Sequence, residues 1–296
     1  MRDNEDRIGT KKPQSDPPMA EAIEAVSQSP SPAAKSPLSF VAPTEFVNLP
    51  SGGRYYPSEH PLHGVDTLEL TMMTTKQEDI LTSKSLLKKG VAIDRFLESL
   101  IVRSDVKTAD LLVGDKNALL VAARISGYGA DYVTQVTCPA CGENTNFEFD
   151  LEEYNNREGV DTAEQEGVRL GNLDGALTFF ITLPKTGWEV GCQPLYGHHE
   201  AAIAKLSQNK KKAGLVESAL TDQLMSLLVS VEGHTDKATL KQAVANMPAK
   251  DSRHLRDLYK ELIPNIDMQQ TFVCSMCGYD TVMEVPLSAE FFWPKS

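Results

Sequence analysis

Two short segments of the sequence carry the most recognisable chemistry, because each holds two cysteines separated by two residues. Residues 137–142 read TCPACG and residues 273–278 read VCSMCG, so both have the form C-x-x-C-G. A C-x-x-C turn points two sulfur atoms at one cation, and the glycine that follows lets the backbone turn sharply. Two such turns supply the four thiolates of a tetrahedral zinc site. The predicted ligands are Cys138, Cys141, Cys274 and Cys277.

A site of four thiolates has no open coordination position, so the predicted zinc is structural and does not activate water. The two pairs are far apart in sequence, with 132 residues between Cys141 and Cys274. A long segment must therefore be inserted between the two halves of the site, and the metal would close a large loop. The alternative is that each pair is a separate thiol-redox or disulfide motif, but neither pair lies in a thioredoxin-like strand-helix context.

The remaining cysteine and histidine residues form no recognisable catalytic pattern. Cys192 stands alone, which favours a buried filler over a catalytic nucleophile. His198 and His199 are adjacent at the start of a predicted helix, where their side chains diverge, so surface or capping roles are expected. The other histidines lack H-E-x-x-H spacing, and no serine elbow lies near them. We therefore predict no catalytic residues and no cofactor site apart from the metal ligands.

The charge of the chain opposes binding to nucleic acid. Lys and Arg number 29 against 41 Asp and Glu, which gives a formal net charge of -12. The longest lysine run, residues 210–212, is expected to be a solvated helix end. No apolar stretch is long enough to span a membrane, so an intracellular protein with reduced thiols and no membrane contact is expected. A zinc-ribbon module that binds nucleic acid or has a regulatory role is the alternative function.

Periodicity predicts an α+β fold with a mostly helical body, short β-hairpins and a split four-cysteine zinc ribbon. Apolar residues alternate in residues 67–72 and 177–183, as they do in half-buried strands. Strand-like residues also flank both cysteine pairs, which predicts a hairpin at each pair. Helical spacing dominates residues 75–127 and 198–262.

The ends of several elements can be predicted from local residues. Residues 1–45 contain seven prolines and few large apolar side chains, so they cannot bury enough surface to offset the entropy of ordering. One helix is predicted over residues 220–231, and Asp236 and Asp251 are predicted to cap the next two. The predicted organisation is a disordered Pro/Ser-rich arm at 1–45, an N-terminal strand and helical region at 46–130, the first half of the zinc ribbon at 131–154, a β-hairpin region at 155–190, a helical insert at 191–266, and the second half of the ribbon with an aromatic C-terminal tail at 267–296.

The order of these motifs resembles the T-even-type bacteriophage baseplate protein family over most of residues 46–293. The likeness rests on several segments that follow one another in a fixed order along the chain. They are LPSGGRYY, a strand and short helices, TCPACG, LPKTG, a helical insert, VCSMCG and a terminal FFWP. The resemblance implies a non-enzymatic role in building the tail baseplate hub, as a hub subunit or as an assembly factor. It implies contacts with other tail and hub proteins, in the cytoplasm of the infected host cell during assembly or in the finished virion tail.

Three aromatic residues near the C-terminus have two competing interpretations. Phe291, Phe292 and Trp293 can anchor an interface with another protein, because aromatic side chains are enriched at such anchors. They can equally pack into the core of the same chain. Both interpretations are open at the level of the sequence.

Overall fold

The computed structural model describes residues 42–159, 166–214, 218–286 and 291–292. The predicted arm is therefore described only from residue 42, and the rest of it lies outside the described residues. The described ranges contain eight α-helices, one short 3-10 helix and twelve strands. In chain order they are β1 (Thr44–Asn48), β2 (Thr67–Thr71), α1 (Thr75–Thr82), α2 (Lys84–Lys89), α3 (Ala92–Leu100), the 3-10 helix (Thr108–Asp110), α4 (Val113–Tyr128), β3 (Asp131–Thr137), β4 (Asn144–Asp150), β5 (Asn155–Arg157), β6 (Val168–Leu173), β7 (Ala176–Thr182), β8 (Glu189–Cys192), α5 (Gly197–Lys212), α6 (Ala219–Leu227), β9 (Leu228–Val231), α7 (Lys237–Asn246), α8 (Ala249–Leu262), β10 (Asn265–Asp267), β11 (Gln269–Val273) and β12 (Asp280–Glu284).

The strands form five antiparallel sheets in the described part of the chain. Four sheets have two strands each and pair β1 with β2, β3 with β4, β5 with β10, and β11 with β12. The fifth has the order β6-β7-β8-β9. Since β5 follows the first cysteine hairpin and β10 precedes the second, their pairing closes the long insertion at its base.

Two hydrophobic cores hold the sheets and helices together. The first core packs β1, β2, α3 and α4 against residues of both cysteine hairpins. The second core packs the four-stranded sheet against α6, α7 and α8. Tyr55 is partly buried and packs against both cores. The cysteine hairpins thus belong to the first core, whereas the insertion between them builds the second core.

The two predicted cysteine hairpins are confirmed, as the antiparallel pairs β3 with β4 and β11 with β12. Burial alternates along β3, where Tyr132, Thr134 and Val136 are buried and the residues between them are exposed. This alternation produces the period of two that predicts a half-buried strand. Asp236 also caps its helix as predicted, since its Oδ1 accepts a hydrogen bond from Thr239 N at 2.9 Å. None of the described helices has the length and apolar character needed to cross a membrane.

The prediction of a mostly helical body is wrong, because twelve strands share the described residues with eight helices. The helix predicted over residues 220–231 stops at Leu227, and Leu228–Val231 runs beside β8 as an extended strand. Three of the four residues of this strand are buried, so polar and apolar residues do not alternate along it. The sequence pattern of such a short apolar run cannot distinguish a strand from a helix. Strands β5 and β10 have three residues each, which is too short for any period to be visible.

The predicted zinc ribbon, in which strands from both cysteine hairpins join in one sheet, is also not what the structure has. Within the described residues, β3 with β4 and β11 with β12 are separate two-stranded sheets. Their inner faces pack on each other through side chains, with the rings of Phe147 and Phe272 5.1 Å apart. Packing of large aromatic side chains between the two hairpins takes the place of backbone pairing.

Asp251 does not cap its helix as predicted. Helix α8 begins at Ala249 after Pro248, and Asp251 lies within its first turn. The buried carboxylate accepts hydrogen bonds from Lys185 N at 2.8 Å, Thr186 N at 3.0 Å and Thr186 Oγ1 at 2.9 Å. It therefore anchors the LPKTG turn between β7 and β8 to a distant helix.

Replacing Asp251 with asparagine is expected to lower the free energy of unfolding by about 2 kcal/mol, because an amide NH₂ cannot accept from these donors. Burial raises the pKa of Asp251, but the hydrogen bonds from Lys185 and Thr186 outweigh it and hold the pKa below its ordinary value. The carboxylate thus stabilises the fold above the unfolded-state pKa of about 3.9 and loses this effect as pH falls through the lower folded-state pKa. Urea denaturation of both proteins at several pH values should give a difference that shrinks below pH about 4. A difference independent of pH would contradict this role.

The two described residues of the aromatic tail pack in the core. Phe291 and Phe292 are buried, and their rings lie 5.4 Å from Tyr132 and 5.2 Å from Phe96 respectively. The core interpretation is therefore confirmed for these two side chains. Trp293 lies outside the described residues.

Candidate metal centre

Each cysteine pair lies in a tight turn between two paired strands, and the two turns have the same backbone geometry. In the first turn, Gly142 N donates to Cys138 O at 2.9 Å, and in the second, Gly278 N donates to Cys274 O at 2.9 Å. The two glycines have φ values of 75° and 72°, a conformation that side chains with a Cβ rarely adopt. The glycine of each C-x-x-C-G segment is thus required by the turn that presents the sulfur atoms.

The four predicted ligand atoms meet at one place. Cys138 Sγ lies 3.8 Å from Cys277 Sγ, and Cys141 Sγ lies 3.8 Å from Cys274 Sγ. All four sulfur atoms are within 4.8 Å of one another. Zn–S bonds of about 2.3 Å would place the sulfurs of a tetrahedral site about 3.8 Å apart. The spacing of the four thiols therefore fits a single zinc ion.

The same distances argue against two separate disulfide motifs. A disulfide joins two sulfur atoms at about 2.05 Å, and all five cysteines of the chain are free thiols in the structure. The 3.8 Å contacts join a cysteine of one pair to a cysteine of the other pair. Two independent redox sites would not bring their sulfur atoms together in this way.

Contacts besides the cysteines also hold the two hairpins together. The side-chain amide of Gln270 on β11 donates to Asp150 O, and its Oε1 accepts from Asp150 N at 3.2 Å. The Phe147 ring packs on the Phe272 ring, with their centroids 5.1 Å apart. Strand β11 of the second hairpin is thus joined to the first hairpin by aromatic packing and by a side-chain amide that pairs with the backbone of Asp150.

The surroundings of the first cysteine pair favour ionisation of the Cys138 thiol and oppose ionisation of the Cys141 thiol. The backbone amide of Cys141 lowers the pKa of the Cys138 thiol to about 7, with help from the amide of Ala140. A backbone hydrogen bond at Glu143 lowers the pKa of Cys141, but burial and the neighbouring thiols outweigh it and raise the pKa to about 12. Four negative sulfurs at this spacing need a cation, since mutual repulsion otherwise keeps protons on them.

The other sequence candidates lie away from this cluster. Cys192 is buried in the second core, and burial raises the pKa of its thiol, as expected for an unreactive filler. His199 Nδ1 accepts from Tyr196 N at 3.1 Å at the start of α5, so it caps that helix. His198 Nδ1 lies 2.9 Å from Ala109 O. Within the ranges that the structure describes, the cysteines are the one cluster of three or more side chains that can hold a metal ion.

The lysine run has the predicted position at a helix end. Residues 210–212 are the last of α5, and Lys211 and Lys212 are exposed. Lys210 Nζ, however, forms an ion pair with Asp222 Oδ1 at 2.6 Å. The charge of Lys210 is therefore neutralised by an ion pair within the chain, so the surface at this helix end is less positive than the sequence alone indicates.

A match to a known protein family covers most of the chain. The family described as T4 bacteriophage base plate protein matches residues 42–293. The chain belongs to this family. The match includes both cysteine hairpins and the insertion between them, and it confirms the family resemblance carried by the sequence motifs. Comparison of this baseplate protein with curated proteins and with solved structures found no match.

The baseplate protein also has a buried polar cluster that sequence reasoning missed. Asp115 in the first turn of α4 accepts from Ser51 N at 2.9 Å, Ser51 Oγ at 2.6 Å and Tyr56 Oη at 2.7 Å. Burial raises the pKa of Asp115, although these hydrogen bonds lower it. The cluster ties the LPSGGRYY segment to α4. An aspartate near a helix start is common in exposed helices too, so no sequence pattern distinguished this one.

Proposed function

We propose that this baseplate protein is a non-enzymatic component of the tail baseplate hub, either a hub subunit or a hub assembly factor, whose four cysteines bind one structural Zn²⁺. The family match over residues 42–293 is the observation that carries the baseplate role. The hub role is supported by the sequence motifs, because their order along the chain resembles that of the family. The proposed partners are other proteins of the tail and the hub.

The proposed zinc ion is supported by the donor set and by its geometry. Thiolates are soft ligands that select zinc over calcium or magnesium, and four of them complete a closed tetrahedral shell. Cys138, Cys141, Cys274 and Cys277 would hold the ion, which would supply no catalytic chemistry in such a shell. Its effect would be to tie the two hairpins that flank the insertion, so that the surface offered to partners stays in one arrangement.

Association with tail proteins during infection tests the baseplate role. We expect tagged full-length protein to co-sediment with baseplate or hub intermediates from infected cells, and mass spectrometry should identify tail proteins in the same fractions. Presence of the chain in purified particles would make it a hub subunit, whereas presence only in the lysate would make it an assembly factor that acts in the host cytoplasm. A chain that sediments alone throughout infection would contradict the proposed function.

The contribution of the metal can be separated in the same experiment by two matched cysteine variants. Cys274→Ser removes a proposed zinc ligand, whereas Cys192→Ala removes a buried cysteine outside the cluster. We expect the first variant to lose co-sedimentation with tail proteins and the second to keep it. Equal co-sedimentation of both variants would show that the metal site is dispensable for these contacts.

A further inference from the structure

The two cysteine hairpins have the same backbone turn but differ in the side chains that they expose. Cys138 N donates to Glu143 O and Cys274 N donates to Tyr279 O, both at 2.9 Å, so the residues of the two turns correspond one to one. The second hairpin exposes four large apolar side chains, each between 42% and 68% accessible to solvent. We call these residues the apolar tip, and they are Val273, Met276, Tyr279 and Val282.

The corresponding positions of the first hairpin carry small or polar residues. Counted from the matching cysteines, these positions are Thr137, Ala140, Glu143 and Asn146. The strands on both sides pair in the same register, with Thr137 opposite Asn144 and Val273 opposite Asp280. The turn therefore forms without large apolar side chains at these positions, so the geometry of the cysteines does not require the apolar tip.

The residues of the apolar tip lie outside both hydrophobic cores of the described chain. Along β11 and β12, Val273 and Val282 alternate with Phe272 and Met283, which pack in or against the first core. Since successive side chains of a strand point to opposite faces, the two valines point away from that core. Scattered exposed apolar residues are ordinary, but four of the twelve large ones in the described residues lie within residues 273–282. Such clusters mark surfaces that another molecule covers.

The surface around the apolar tip is acidic. Residues 131–150 and 267–285, which include both hairpins, contain no lysine or arginine. Asp280 lies directly opposite Val273 and therefore on the same face of the hairpin. Within the described residues, Glu284 is the one carboxylate of these two segments that forms an ion pair, with Lys260 at 3.6 Å. The acidic residues of the two segments are Asp131, Glu143, Glu148, Asp150, Asp267, Asp280 and Glu284.

We propose that the apolar tip docks on another baseplate protein, whose matching surface is an apolar pocket bordered by lysine or arginine side chains. The flexible side chain of Met276 can fill an irregular pocket, and Tyr279 is of a residue type that often anchors interfaces. Basic side chains of the partner would complement the unpaired carboxylates, and such complementarity speeds association and selects the partner. A second copy of this chain would bring one acidic surface against another, which opposes self-association here. That the partner is a baseplate protein rests on the function proposed above, whereas the position and the chemistry of the surface do not.

Photocrosslinking during infection identifies the molecule that covers the apolar tip. A photoreactive benzoylphenylalanine at position 276 of the tagged full-length protein would lie in the proposed interface, and the same residue at the corresponding position 140 is the control. We expect position 276 to crosslink to a tail protein, at a peptide bordered by lysine or arginine residues, and position 140 to crosslink little. No crosslink from position 276, crosslinks to a second copy of this chain, or equal yields from both positions would overturn the proposal.

The first hairpin supplies the residues for a variant that keeps the turn. Met276→Ala combined with Tyr279→Glu gives the second hairpin the residues of the first at these two positions, so zinc content and urea denaturation should be unchanged. We expect the tail proteins recovered with this double variant to fall about tenfold, as for the loss of a buried interface anchor. Asp280→Lys, which reverses the charge beside the tip, should also lower the recovery. Val133→Ala shortens a valine of the first hairpin that is 57% exposed, compared with 61% for Val282, and should leave the recovery unchanged.

The unsubstituted protein separates this proposal from the baseplate role. If it co-sediments with tail proteins and the double variant does so equally, the docking surface is overturned and the baseplate role stands. If it sediments alone, the baseplate role is contradicted by that result, without any variant of the apolar tip.

Discussion

Replacing Cys138 with serine is expected to lower bound zinc from one ion per chain to a small fraction and to destabilise the fold by several kcal/mol. A structural zinc ion contributes its binding free energy to folding, since the unfolded chain offers no preformed site. Cys138 is buried beside the first core, and its sulfur lies 3.8 Å from Cys277 Sγ on the other hairpin. Loss of this one ligand would therefore remove the metal link between the hairpins and leave them joined by the Phe147–Phe272 packing and the Gln270 hydrogen bonds. Elemental analysis and urea denaturation measure the two effects.

The fifth cysteine of the chain provides the control for this result. Cys192→Ala should retain one zinc ion per chain, because Cys192 lies in the second core and outside the cluster. It should lose only the small free energy of a buried sulfur atom. If Cys138→Ser bound as much zinc as Cys192→Ala, the four cysteines would not be the ligands.

Replacing Arg124 with methionine is expected to lower the free energy of unfolding by about 3 kcal/mol, although methionine retains much of the apolar stem. Arg124 is only 1% exposed and donates to Phe291 O at 2.7 Å, to Asp131 O at 3.1 Å and to Gly129 O. Its guanidinium also lies 5.9 Å from the centroid of the Phe291 ring. The substitution would leave three carbonyl groups without their donor and would release the aromatic C-terminal residues from the first core.

Arg169 provides a surface arginine for comparison. It pairs with Glu189 at 2.9 Å, and its side chain is 56% exposed, so Arg169→Met should change stability by less than about 1 kcal/mol. Thermal and urea denaturation of both variants test the difference. Equal effects would mean that the three carbonyl groups find other donors, and that Arg124 is not the anchor of the C-terminal residues.

The features that could be predicted from the sequence are those with a local signal. The C-x-x-C-G segments indicate their own turns, and alternating residues on either side indicate the paired strands. The structure then brings all four sulfur atoms within 4.8 Å of one another. The spacing of the cysteines along the chain indicates two pairs but does not by itself place them together. Asp236 likewise caps the helix that begins next to it.

The features that could not be predicted depend on partners that are distant in sequence. Strand β9 forms because β8 lies beside it, although its residues continue a helical spacing. The position of Asp251 in the sequence is typical of a helix cap. Its carboxylate instead accepts hydrogen bonds from Lys185 and Thr186 of the LPKTG turn, which lie 66 and 65 positions away. The hairpins of the cysteines pack face to face without joining in one sheet, because aromatic side chains lie between them. In each case tertiary contacts override a correct local pattern.

X-ray absorption at the zinc K edge of the purified full-length protein tests the shared metal site most directly. Four sulfur neighbours at about 2.3 Å, with one zinc ion per chain, are the predicted result. Nitrogen or oxygen neighbours at about 2.0 Å, or a chain purified under reducing conditions that binds no zinc, would contradict a single ion held by both hairpins.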